Sequence, residues 1–279
     1  MLKESYAKLH AYDEALKIKN PGTVFEINFE ESKYLKYMFI ALSASLRDFK
    51  SCQPMIIVDG THLKGKYKGT MLVGVAIDNN NQLYPLAYAI VDNENDRALM
   101  WFTMNLKTVI GECLNLLFVS DRGQNIANVN VVFPNYYHKI CTYYLKRNVE
   151  KYFKDESIKK FVSRCLQSIS RIRVKCRWVQ IVNYNDGLLA RYLKDAYIQR
   201  WACCYQSGNR YNNMTNNSVE CFNAIIKEAR VLPITSLLEY IRDLLQCWFH
   251  ERRTVWSNST SIHSKYAEEI MGLKCDKAR

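Results

Sequence analysis

Met55-Ile56-Ile57-Val58-Asp59-Gly60-Thr61-His62-Leu63-Lys64 is the stretch from which the rest of the chain is read. Four apolar residues, three of them β-branched, run straight into a carboxylate followed by glycine. Such a run reads as a strand covered on both faces. Asp59 then stands at or near the strand's end, fixed by the sheet yet facing solvent. Gly60 lets a second group come close. A carboxylate held this way suits a hard cation, and Mg²⁺ needs at least one further carboxylate nearby. The plainer alternative is a strand closed by an Asp-Gly turn.

Downstream, Leu63-Lys64-Gly65-Lys66-Tyr67-Lys68-Gly69 is a basic hairpin turn. Its three lysines and two glycines suit a phosphate backbone, or equally an ordinary solvated turn. Met71 to Ile77 and Leu83 to Val91 read as further strands, with Pro85 marking an irregular or exposed position. Asp92-Asn93-Glu94-Asn95-Asp96 is rich in capping residues and opens a helix that runs through Trp101 and Phe102 to Gly111. Leu114 to Ser120 then repeats the opening theme: an apolar strand ends on Asp121-Arg122. A helical crossover returns the chain to a parallel neighbour. The spacing therefore predicts this fourth strand beside the first, with Asp59 and Asp121 together. Tyr136 to Cys141 reads as a fifth strand and Thr142 to Phe153 as a basic, aromatic helix. Residues 155–204 are helical in pattern, rich in Arg and Lys, and contain no clear strand.

Upstream, residues 2–19 carry a helical pattern stopped by Asn20-Pro21-Gly22. Val24 to Phe29 alternates as a strand, and Tyr34 to Leu46 is read as a second helix. Near the C-terminus, Tyr211 to Ser218 is full of capping residues and leads into a helix from Val219 to Arg230. Glu220 and Asn223 share one face of it with Lys227. A Glu in a first helical turn is ordinarily explained by the helix dipole alone. Pro233 closes that helix, and Ile234 to Phe249 forms another. The organisation expected is an accessory segment over 1–50, a core over 51–154, an all-helical insertion over 155–210, the core's C-terminal helices over 211–253 and a polar tail over 254–279.

The 279 residues carry 39 Lys+Arg against 27 Asp+Glu, a formal net charge of +12. That balance favours a polyanionic partner, nucleic acid before an anionic membrane. No apolar run approaches the length needed to cross a bilayer, and the start lacks the apolar centre of a secretory signal. Ten cysteines show no Cys-x-x-Cys pair and no disulfide framework, so they read as reduced thiols of a cytosolic or nuclear protein.

Three stretches together resemble the Mutator-like (MULE) transposases of plants. They are Val58-Asp59-Gly60-Thr61-His62-Leu63-Lys64-Gly65, Ser120-Asp121-Arg122 and Thr215-Asn216-Asn217-Ser218-Val219-Glu220-Cys221-Phe222-Asn223. Pro85 to Val91, Trp101-Phe102, Phe133-Pro134 and Cys141 with Leu145 and Asn148 fit as well. The resemblance implies an α/β (α+β) chain with a ribonuclease H-like core: a five-stranded mixed sheet, flanking helices and a helical insertion before the last catalytic helix. It implies an Asp-Asp-Glu triad, here Asp59, Asp121 and Glu220, holding two Mg²⁺ or Mn²⁺ ions. The implied activity is DNA strand cleavage and strand transfer at transposon ends in the nucleus. Double-stranded DNA would be the partner, as terminal inverted repeats and target, with a homo-oligomer acting on it and no membrane involved. Lys64, Lys66, Lys68, Arg122 and Lys227 are the phosphate contacts implied by position, and Trp201 resembles a tryptophan the family carries before the Glu. The chain departs from the family at Cys141-Thr142-Tyr143-Tyr144, where Tyr144 replaces the histidine of Cys-x-x-His. Tyrosine is no proton carrier near neutral pH. A catalytically inactive, transposase-derived DNA-binding or regulatory protein is therefore the second reading.

Overall fold

The structure is a computed structural model that describes residues 2–30, 35–66, 68–120, 131–166, 168, 170–196, 198–205 and 217–278. Seven strands form one mixed sheet: β1 (Val24–Phe29), β2 (Leu35–Ala41), β3 (Met55–His62), β4 (Thr70–Ile77), β5 (Leu83–Val91), β6 (Leu117–Ser120) and β7 (Tyr137–Ile140). Their order is β1-β2-β5-β4-β3-β6-β7. β3, β4 and β5 make an antiparallel meander. The crossover helix α3 (Asp96–Ile110) then returns the chain to β6, parallel to β3, and β7 lies parallel to β6. Asn95 caps α3, its side-chain oxygen accepting from the Ala98 N–H at 3.0 Å, and Gly111 ends it at φ 65°.

The five strands expected in the core sheet become seven because β1, expected as a strand of the accessory segment, and β2 join it, β1 antiparallel to β2 and β2 antiparallel to β5. The helix expected over Tyr34 to Leu46 is strand β2, followed by a short helix, α2 (Ser43–Asp48). The reason lies in burial. Met38 and Ile40 face one core while Tyr37, Phe39 and Ala41 face the other. A strand covered on both sides loses its alternation, and periodicity then fails to separate it from a buried helix. Pro85 is irregular as expected, though buried: the β4–β5 register shifts between Gly74 and Val75, opposite it. The β2–β5 pairing reaches only Tyr88, so no ladder partner is lost at the proline.

On one face of the sheet, Met55, Ile57, Val73, Leu117 and Val119 pack under three helices. These are α1 (Leu2–Lys19), α9 (Asn217–Ile225) and α10 (Ile234–Ser257). On the other face, Ile56, Val58 and Phe118 meet Ala98, Leu99, Phe102 and Leu106 of α3. A third cluster belongs to α4 (Thr142–Phe153), α5 (Glu156–Leu166), α6 (Arg171–Val182), α7 (Leu188–Asp195) and the single turn α8 (Ile198–Trp201). No strand lies between Thr142 and Tyr205 among the described residues. α10 runs past Phe249 because Arg252 ties its end to the β4–β5 turn, donating to the Leu83 carbonyl at 2.8 Å and pairing with Asp78 at 3.5 Å. The polar tail forms a last helix, α11 (Lys265–Ala278), anchored where Ser264 Oγ donates to the Asn79 carbonyl at 2.8 Å.

Candidate functional site

Strand alternation sends Met55, Ile57 and Asp59 to one face, the face covered by Val219 and Phe222 of α9. Asp59 is half-buried and lies inside β3 rather than at its end: the strand runs on to His62, with Asp59 paired to Val73 of β4 and only the β6 pairing stopping before it, at Ile57. There Asn223 Nδ2 donates to Asp59 Oδ2 at 3.3 Å, joining residues 164 positions apart. Glu220 sits three positions before Asn223, one turn earlier on the same side of α9, and is also half-buried. The structure thus brings Asp59 and Asn223 into contact and places Glu220 on the helix that makes the contact. Asp121 and Arg122 lie outside the described residues. The last described residue before them is Ser120. Ile57 and Val119 are register partners across β3 and β6, and each precedes an aspartate by two positions in the sequence. Among the described residues no three His, Cys, Asp or Glu side chains gather closely enough to hold a metal ion.

Two neighbours of Asp59 escaped the sequence reading. A Cβ on Gly60 would fall 2.5 Å from Glu94 Oε2, so the Glu94 carboxylate lies against this glycine, on the side opposite Asp59. The capping-rich turn before α3 concealed it. Arg230 is the other. Its carbonyl accepts the N–H groups of Lys64 and Gly65 at 2.9 and 3.2 Å. Its guanidinium donates to Thr61 Oγ1 and, at 3.4 Å, to the His62 carbonyl. The basic loop after β3 is thereby locked to the segment that follows α9, and Lys64, Lys66 and Lys68 stay exposed.

Lys227 does not share the Glu220 face. α9 ends at Ile225, and Lys227 lies in the turn beyond it, exposed. The chain tightens there into a 3-10 turn, Ala229–Val231, because it must present the Arg230 carbonyl to the loop and then enter α10 at Pro233. Gly65 is set by the same clamp: a Cβ there would meet the Val231 carbonyl oxygen at 2.7 Å. Backbone cannot give way as a side-chain tip can. Gly65→Ala is expected to cost about 1–3 kcal/mol, read as a lower urea midpoint.

Past β7 the chain enters α4 through Cys141, which is fully buried and donates its backbone N–H to the Ser120 carbonyl at 2.8 Å. Tyr144 lies within α4, and its side chain falls outside the described residues. Lys139 is 3% exposed on β7, and Tyr137, two positions before it, packs against the core on the Asp59 face. His138 points the other way. Its Nε2 lies 3.1 Å from Ser120 Oγ, and its Nδ1 has no hydrogen-bond partner among the described residues.

Burial, then the nearby Arg200 cation, pushes the His138 imidazole down to about 3. The folded protein keeps it neutral at pH values where the unfolded chain takes up a proton. The stability it contributes is complete above the ordinary histidine pKa of about 6.5 and is lost as pH falls from there toward the folded value. His138→Gln is expected to flatten that acid limb in denaturant midpoints measured between about pH 6.5 and 4. A variant that keeps the parent's slope would show that another group governs it.

Trp201 is fully buried in the cluster formed by α4 to α8, with Nε1 donating to the Leu193 carbonyl at 3.1 Å. Its role in this chain is packing.

Residues 55–148 match the MULE transposase domain family. Protein FAR-RED IMPAIRED RESPONSE 1 of Arabidopsis thaliana is 21% identical over 143 residues, covering 51% of this chain. The chain spans 17% of the length of that curated relative. The match starts at the first residue of β3, contains Asp59 and Asp121, and stops within α4. Through residues 55–148, therefore, the chain is similar to the Mutator-like (MULE) transposase domain family, and more weakly to a plant protein.

Proposed function

We propose that the chain is the core of a DNA transposase that cuts and joins strands at transposon ends with Mg²⁺ or Mn²⁺, on a ribonuclease H-like frame. The hydrogen bond from Asn223 to Asp59 carries this reading, because it seats the helix of Glu220 against β3 at Asp59. The order β5-β4-β3-β6-β7, with the meander antiparallel and β3, β6 and β7 parallel, supports the frame. Asp59, Asp121 and Glu220 would hold the cations. Half-buried carboxylates on β3 and on the covering helix are the hard oxygen donors these ions take. When bound, such ions neutralise charge at the scissile phosphate and activate the attacking oxygen. The chain's own residues do the rest. Asn223 orients the Asp59 carboxylate, Arg230 stiffens the loop beyond it, and Lys64, Lys66, Lys68, Arg122 and Lys227 meet the phosphates of terminal repeats and target DNA. The protein would act as a homo-oligomer in the nucleus.

The test is nicking of supercoiled plasmid by the 279-residue chain in Mg²⁺ or Mn²⁺, against EDTA. Cation-dependent nicking supports the enzyme. Salt-dependent duplex binding without nicking supports the second reading, a DNA-binding derivative, which the Tyr144 substitution favours.

A further inference from the structure

α6, α7, α8 and the turn after them frame a cleft of about 350 Å³, lined by Val174, Lys175, Trp178, Lys194, Ile198, Gln199 and Tyr205. It lies apart from Asp59, within elements packed on their own core. Val174 is buried and Ile198 half-buried, so the floor is apolar. Trp178 is half-buried, its ring backed by Trp201 at 6.4 Å and 28°. The Arg171 guanidinium lies over the Tyr205 ring, 5.4 Å from its centre. Lys175 and Lys194 are exposed at the rim. α6 carries Arg171, Arg173, Lys175 and Arg177 and no acidic residue.

An aromatic floor with two ammonium groups at its edge suits a flat ring that carries a phosphate. The volume falls in the range of small-ligand pockets. A base inside a duplex is paired and stacked and presents no free face, whereas an unpaired one does. We propose that this cleft receives one unpaired nucleotide of a DNA strand, its base against Trp178 and its phosphate between Lys175 and Lys194. This rests on the DNA-binding reading above and adds a single-strand site to it. Duplex DNA with a strand end or a distorted junction would then be gripped at two places: along the lysines near Asp59, and here by one displaced nucleotide.

The experiment uses the whole chain and three labelled probes: a dT12 strand, the same backbone without bases, and a duplex. The parent is expected to bind dT12 more tightly than the baseless strand. Trp178→Ala is expected to weaken dT12 binding about tenfold or more, with duplex affinity within about twofold and Trp178→Phe retaining most of the affinity. Lys175→Gln with Lys194→Gln, both at exposed positions, should lower the salt slope for dT12 by about 0.7, the contribution of one neutralised phosphate on a single strand. Equal affinity for dT12 and the baseless strand, or variants that bind dT12 as the parent does, would overturn the cleft while duplex binding keeps the wider reading standing. Thymidine monophosphate competing as well as the oligonucleotide would assign the cleft to free nucleotides and also overturn it. If neither strand nor duplex binds, the DNA-binding reading itself falls, and this site with it.

Discussion

Asp59→Asn is expected to lower cation-dependent strand cleavage by about 10³-fold, the scale of several kcal/mol of lost charge stabilisation, while duplex affinity stays within about twofold. The substitution is nearly isosteric. Its remaining oxygen still accepts from Asn223 Nδ2, so the seating of α9 on β3 survives. β3 keeps its register with β4 and β6, because backbone groups make those ladders. What disappears is a full negative charge on β3 just past its pairing with β6, and hard cations are held by charged oxygens. In the proposed reading duplex affinity would come from the lysines, which are untouched. Cleavage rates at saturating Mg²⁺ and Mn²⁺, with anisotropy measurements of duplex binding, separate the two effects. Unchanged cleavage would remove Asp59 from the site. Asn223→Ala completes the comparison: it keeps the charge but loses the donor that aims it, so the cation concentration needed for half-maximal cleavage should rise before the maximal rate falls.

The sequence was most legible where one signal carried the whole decision. Met55 to Val58 is too short for a helix and too apolar for a loop, so a strand there followed directly, although β3 runs on through Asp59 to His62 because β4 pairs with it that far. The helix closed by Gly111 implied a crossover, and the crossover implied a parallel β6 beside β3, as found. Legibility failed where tertiary contacts decide. β2 is shielded on both faces by elements distant in sequence, so its own pattern says only that it is apolar. Arg230 looked like one more cation at a helix end, because its partners Thr61 and His62 lie across the molecule. Glu94 was hidden in a turn whose capping role is real and accounts for its neighbours, though not for it. Asn223 was visible as a helix-face neighbour of Glu220, but its bond to Asp59 needed the fold.

The second large effect is expected far from Asp59. Trp201→Ala should destabilise the chain by about 3–5 kcal/mol, the usual cost of emptying a buried aromatic site. Trp201 is among the largest fully buried side chains, and its neighbours Val162, Leu193 and Ala202 are sealed from solvent too. Little can collapse inward, and the Leu193 carbonyl loses its donor as well. Trp201→Phe refills most of the volume and omits only the N–H, so its cost should be nearer 1–2 kcal/mol. The difference between the two variants measures cavity against hydrogen bond. The damage should not stop at the helices. The same cluster takes Ile140 from β7 with Leu145 and Val149 from α4, so loosening it frees the sheet edge next to β6. Urea unfolding followed by near-ultraviolet dichroism would report the loss, and limited proteolysis should cut first between residues 155 and 205. Cleavage of DNA should fall with it, although Trp201 is too deeply buried to touch a strand. If Trp201→Ala unfolds within about 1 kcal/mol of the parent, the helices between β7 and α9 owe their order to something other than this packed core.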